Sequence, residues 1–276
     1  MADEQERARK AMRELSKTLK SLLGDPAPKE VHKLRTAARR VEAIAAVLAR
    51  NDEKKSRRLL KSIEPVRKAA GGVRNMDVLT ANARRLARRS AGDSLTRLLD
   101  HLQIARQQNA EKLRRVLARR RDAAREDLKQ YARMVRSALA PAKGAEPAGG
   151  QAGQRNEGVH TAAMDAVREL GSWPPLNADN IHAFRLKVKE LRYVLQLSAD
   201  ADSGMMAALS DVQRRVGDWH DWQQLDEIAR AVLTREEDIA LLTRIDQTVR
   251  RKLDRALAAA NSLRGKYLAM PLADGI

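Results

Sequence analysis

VHKLRTAARRVEA, residues 31–43, returns 150 positions later as IHAFRLKVKELRY, residues 181–193. His32 falls on His182, Arg35 on Arg185 and Arg39 on Lys189, so the two stretches read as copies of one unit. Both have helical period: Leu34, Ala38, Val41 and Ala45 form one apolar stripe, and Phe184, Val188, Leu191 and Leu195 form another. On a helix, His182, Arg185, Lys189 and Arg192 fall within about 80° of one another, a ridge roughly 15 Å long. The ridge runs beside the apolar stripe rather than opposite it. A merely solvated charged face would oppose the core, whereas a row on its shoulder sets cationic heads against a neighbouring helix while their stems pack. Such heads need anionic partners, and within each row carboxylates are few, Glu42 being the exception. An external polyanion would supply the missing charge.

A second pair of segments follows the first in the same order. GGVRNMDVL, residues 71–79, matches GDWHDWQQL, residues 217–225, at an offset of 146, which places Arg74 on His220. The rest of the chain is helical in period, as in Leu15, Leu19 and Leu22, and strand alternation is missing. Gly24-Asp25-Pro26, Asn51-Asp52 and Gly71-Gly72 predict tight connections between antiparallel helices. One long helix is predicted from Asp93 to Ala140, stopped by Pro141. Residues 141–158, PAKGAEPAGGQAGQRNEG, have no apolar spacing and read as a flexible linker. Beyond it the pattern predicts helices near 159–170, 178–197, 204–216, 221–233 and 236–263. The expected fold is all-α, in two related halves, 1–140 and 159–276.

The formal charge of the 276 residues is +18, and it is unevenly placed: 36 basic against 17 acidic residues up to Ala140, then 18 against 19. General attraction for nucleic acid, membrane surfaces or polyphosphate therefore resides in the first half. Aromatic residues are only 3%, which argues against a base-stacking surface. The absence of cysteine excludes disulfides, thiolate metal sites and cysteine nucleophiles. MADEQERARK at the start is charged and is followed by no apolar run long enough for a signal peptide or a span, so a cytoplasmic protein without a membrane partner is expected.

Taken together, HKLRTAARR with GGVRNMDVL, and HAFRLKVKELRY with GDWHDWQQL, resemble the CHAD domains, the conserved histidine α-helical domains, over most of the chain. The resemblance implies two four-helix bundles related by a pseudo-twofold repeat, with the histidine-bearing helices lining a basic groove that binds inorganic polyphosphate. Carried onto this sequence, the binding residues are His32, Arg35, Arg39, His182, Arg185, Lys189 and Arg192. Arg74 and His220 either extend the groove or hold the turns at their glycines. The sequence departs from the family in having Glu42 at the fourth ridge position of the first row, and Asn75 where RDxD-like members carry Asp.

No Ser/His/Asp set, carboxylate pair, phosphate-binding glycine loop or metal-ligand spacing is present, so no catalytic residue, metal or cofactor is expected. His220-Asp221 is too short a match to the metal-binding pair of HD hydrolases to count as a site. Trp219 and Trp222 are expected in the core, and Arg119, Arg120 and Arg121 spread around a helix as a solvated run. Two competing readings remain: a basic helical protein with non-specific affinity for nucleic acid, and an enzyme of polyphosphate metabolism using His32 or His182 as nucleophile. Nothing in the sequence sets the oligomeric state.

Overall fold

The computed structural model describes residues 2–22, 24, 26–48, 53–86, 92–138, 163–195 and 202–268. Every regular element among them is helical: α1 (Ala2–Ser21), α2 (Pro28–Leu48), α3 (Glu53–Leu86), α4 (Asp93–Ala138), α5 (163–171), α6 (Ile181–Leu195), α7 (Ser203–Val232) and α8 (Ile239–Leu263). A 3₁₀ turn, Glu236–Asp238, precedes α8 and a π turn, Arg264–Leu268, follows it. The described residues are all-α, as the periodicity predicts. It separates into two compact units, Met1–Lys143 and Gly144–Ile276. The linker at 141–158 lies outside the described residues.

In the first unit each helix packs on the next and α1 returns to α4, so four helices close a ring. Leu15 and Leu19 of α1, Leu34 and Val41 of α2, Leu59 and Ile63 of α3, and Leu113 and Tyr131 of α4 are buried in one cluster. Each such side chain contributes about 1.5–3 kcal/mol by leaving water. Gly24, at φ 95°, turns the chain between α1 and α2 in a conformation that side chains rarely adopt. The Ala27 amide then donates to the Glu30 carboxylate at 3.0 Å, capping the start of α2 two residues ahead of His32.

In the second unit α6 packs on α7 and α7 on α8. Phe184, Val188 and Leu191 of α6 are buried with Leu209, Val212, Val216 and Trp219 of α7 and with Ala256, Ala260 and Leu263 of α8. Trp222 is buried too, so both tryptophans are packing residues. The entry to α6 is fixed by a reciprocal pair. The Asn177 amide donates to Oδ1 of Asn180 at 3.0 Å, and the Asn177 side-chain oxygen accepts from the Asp179 and Asn180 amides at 2.9 and 3.1 Å. That cap sets the register of His182.

Two expected helix breaks are absent. α3 runs unbroken through Gly71-Gly72, and the helices expected at 204–216 and 221–233 are one helix, α7, passing through Gly217. An interior glycine costs a helix about 1 kcal/mol relative to alanine. Burial of Ala70 and Val73 on one side of the first break, and of Val216 and Trp219 around the second, outweighs that cost. Arg74 and His220 therefore have no turn to hold; both sit on helices.

Candidate anion-binding rows

α6 presents His182, Arg185, Lys189 and Arg192 as half-buried side chains beside its fully buried stripe of Ile181, Phe184, Val188 and Leu191. The ridge is thus on the shoulder of the core. α7 brings His220 to it: the His182 and His220 rings have centroids 5.1 Å apart, tilted by 50°. The Gln224 side-chain nitrogen lies 3.1 Å from His220 Nε2, one turn further along α7. Arg185 reaches across to α7, where its Nε donates to the Gln213 carbonyl oxygen at 3.1 Å. Lys189 Nζ and the Arg192 guanidinium carbon each lie 5.6 Å from the centre of the Tyr193 ring.

The electrostatics of this patch favour an incoming anion. The His182 pKa is pushed below the usual histidine value, first by burial and then by the neighbouring His220 and Arg185. Nδ1 of His182 and Nε of Arg192 are buried and make no hydrogen bond among the described residues. A buried donor or acceptor left in that state is costly, and an anion set on the ridge would relieve the repulsion around it.

In the first unit the same plan is drawn more openly. His32 and Arg39 are exposed on α2, whereas Arg35 is half-buried there and Arg74 half-buried on α3. Where the second unit pairs two imidazoles, the first matches an exposed histidine position with an arginine. Glu42, in the place of Arg192, forms an ion pair with Arg67 of α3, both about a quarter exposed or less. The one carboxylate of the first row is therefore neutralised from the next helix. Gln213 stands where the repeat puts Arg67, so the exchange is made at two positions together.

A glycine lies under the arginine in both units, a relation hidden from the sequence, where these residues read as breaks. A Cβ built on Gly71 would stand 2.5 Å from Nη1 of Arg35, and one on Gly217 would stand 3.3 Å from Nη2 of Arg185. The missing side chain lets each guanidinium lie against the neighbouring helix. The signal was present all the same, since Gly71 and Gly217 occupy the same place in the repeat. Among the described residues no three His, Asp or Glu side chains are grouped so as to hold a metal ion, and no helix is long and apolar enough to cross a membrane. In the basic run on α4 Arg119 and Arg120 are exposed, as expected, whereas Arg121 is half-buried and pairs with Asp122; Arg114 and Arg125 pair with Glu111 and Asp122 on their own helix.

The family model described as the CHAD domain matches residues 6–230. The chain belongs to the CHAD-domain family. No curated protein and no solved structure matches it. The CHAD match covers both basic helices, both glycines and all nine candidate residues, from His32 to His220, and it ends before α8 begins at Ile239.

Proposed function

We propose that this CHAD protein binds inorganic polyphosphate without turning it over, through His32, Arg35, Arg39 and Arg74 in the first unit and His182, Arg185, Lys189, Arg192 and His220 in the second. The observation that carries the reading is the patch on α6 and α7, where two half-buried imidazoles 5.1 Å apart stand beside a guanidinium seated over Gly217. Family membership supports polyphosphate as the anion. Arginines supply charge-assisted hydrogen bonds to bridging and terminal phosphate oxygens, and Lys189 and the histidines add point charge. Each row is a contact surface of its own, and the two units follow one repeated plan. The sequence carries no Ser/His/Asp set and no paired-carboxylate pattern, which favours holding over hydrolysis. The cytoplasm, at polyphosphate granules, is the setting this function suits.

Incubation with end-labelled polyphosphate separates binder from enzyme: the account expects chains of unchanged length and unlabelled protein, and shortened chains or labelled histidine would overturn it. Competition at fixed salt separates polyphosphate from nucleic acid. Polyphosphate is expected to displace duplex DNA and RNA at equal phosphate concentration, and parity between them would favour a non-specific basic surface.

A further inference from the structure

We propose a separate oxyanion site on the opposite flank of α7, between α7 and α8, which takes a single tetrahedral phosphate group. Arg214, Arg215 and Asp218 of α7 and Lys252 and Arg255 of α8 line a cavity of about 70 Å³ there. Arg215 and Asp218 lie roughly 100–160° around the helix from Gly217 and His220, and Arg214 roughly 60° and 120° from them, so the cavity faces away from the row on α6. Half of its cations come from α8, past the segment matched by the CHAD family.

The charge balance favours an anion. Arg214 and Arg215 share one carboxylate, Asp211, and Lys252 pairs with Asp218. Four cations thus face two carboxylates, a local surplus in the half of the chain whose acidic residues outnumber its basic ones. Burial works to raise the Asp211 pKa, but the hydrogen bonds and charge of both arginines prevail and lower it, so Asp211 stays well ionised and the surplus does not depend on losing those pairs. Arg214 is 66% exposed and Lys252 22%, which gives the site one solvent-facing guanidinium and one seated charge.

The first unit shows the same place closed. Carrying the offset of 146 onto the next helix puts Arg106 on Lys252, Asn109 on Arg255 and Gly72 on Asp218. There the Asn109 side chain fills the space over Gly72, where a Cβ would meet its oxygen. Arg106 is spent on Asp77, at 2.8 Å with both side chains largely buried, and on the Pro26 carbonyl. In the second unit Gln223 replaces Asp77, Lys252 turns to Asp218, and Arg255 stands where the filler would be. One repeat packs this position and the other opens it to solvent with cations.

The test is the rate at which an amine-reactive acetylating reagent modifies Lys252, read by mass spectrometry on the full chain. Saturating tripolyphosphate should slow acetylation of Lys252 by about fivefold or more, as expected when most molecules are occupied. The protection should persist in Arg185→Glu with Lys189→Glu, which disables the proposed row, and should vanish in Arg255→Glu with that row intact. Orthophosphate in a second arm identifies the source: protection by it marks a site for the free dianion, and protection by tripolyphosphate alone marks a site for a group within a chain. Both results support the oxyanion site. Unchanged Lys252 reactivity with both ligands overturns it, and protection lost in the row variant shows that a chain held at the row merely covers Lys252. Failure of the row reading alone would leave the Lys252 result standing.

Discussion

α2 and α6 carry the two stretches that align at an offset of 150, and they differ in what they offer an anion. On α2 the histidine is exposed, the fourth ridge position is acidic and paired to Arg67, and the surrounding half carries the whole charge surplus. On α6 the ridge is half-buried, a second imidazole faces the first, and the surrounding half has slightly more acidic than basic residues. The contrast separates long-range attraction from contact. On the proposed reading a polyanion would be drawn by the summed field of the first half, whereas the second half would have only local geometry to offer it.

The largest effect should come from breaking that local geometry. Arg185→Glu with Lys189→Glu is expected to weaken polyphosphate binding by about a hundredfold or more, since two charge-assisted contacts at about 1.5–3 kcal/mol each become repulsive. Arg119→Glu with Arg120→Glu removes the same charge from exposed positions and should cost no more than about fivefold. Equal losses in binding titrations of folded variants would show that the ridge is ordinary surface.

Gly217→Ala comes next. Its Cβ would crowd the Arg185 guanidinium, so affinity should fall by about tenfold, one contact's worth, while thermal stability does not fall, because alanine is the better helix former by about 1 kcal/mol. Loss of affinity together with loss of melting temperature would make the glycine a packing residue. These glycines also mark the limit of what the sequence made legible. Periodicity placed the buried stripes of α2 and α6, and the repeat picked out the ridge, because both depend on neighbours along one helix. The seating of Arg185 on α7 and the meeting of His182 with His220 depend on how two helices pack, and a glycine pair reads locally as a break although tertiary burial carries the helix through it. The Glu42–Arg67 pair was hidden for the same reason: a carboxylate on one helix says nothing of the cation that meets it from the next.

A smaller effect is expected from pH. In the free protein burial, His220 and Arg185 depress the His182 pKa, and a bound polyanion raises it. Binding therefore takes up a proton, so affinity is greatest at low pH and declines as pH rises through the raised, bound-state value. Binding at pH 5.5 should be tighter than at pH 8 by up to about tenfold, the linkage expected of a single histidine whose affinity for its proton rises tenfold in the complex. His182→Gln should abolish most of that gain in fluorescence titrations, and His32→Gln, at an exposed position, should leave it nearly intact; the reverse order would move the pH-sensitive contact to α2. Smallest of all, Glu42→Gln releases Arg67 to the first row and should strengthen binding by about two- to fivefold, the release of one cation beside the row. Weakened binding would show that the pair holds α2 to α3.

The salt dependence of binding reads contact most directly. The logarithm of the polyphosphate association constant should fall linearly with the logarithm of salt concentration, and each phosphate contact removed should flatten the slope by about one unit. Arg185→Glu with Lys189→Glu is predicted to lower the slope by about two, with Arg119→Glu and Arg120→Glu leaving it within about half a unit of the parent. Equal flattening by the two pairs would contradict the assignment of the α6 row as the surface that touches phosphate.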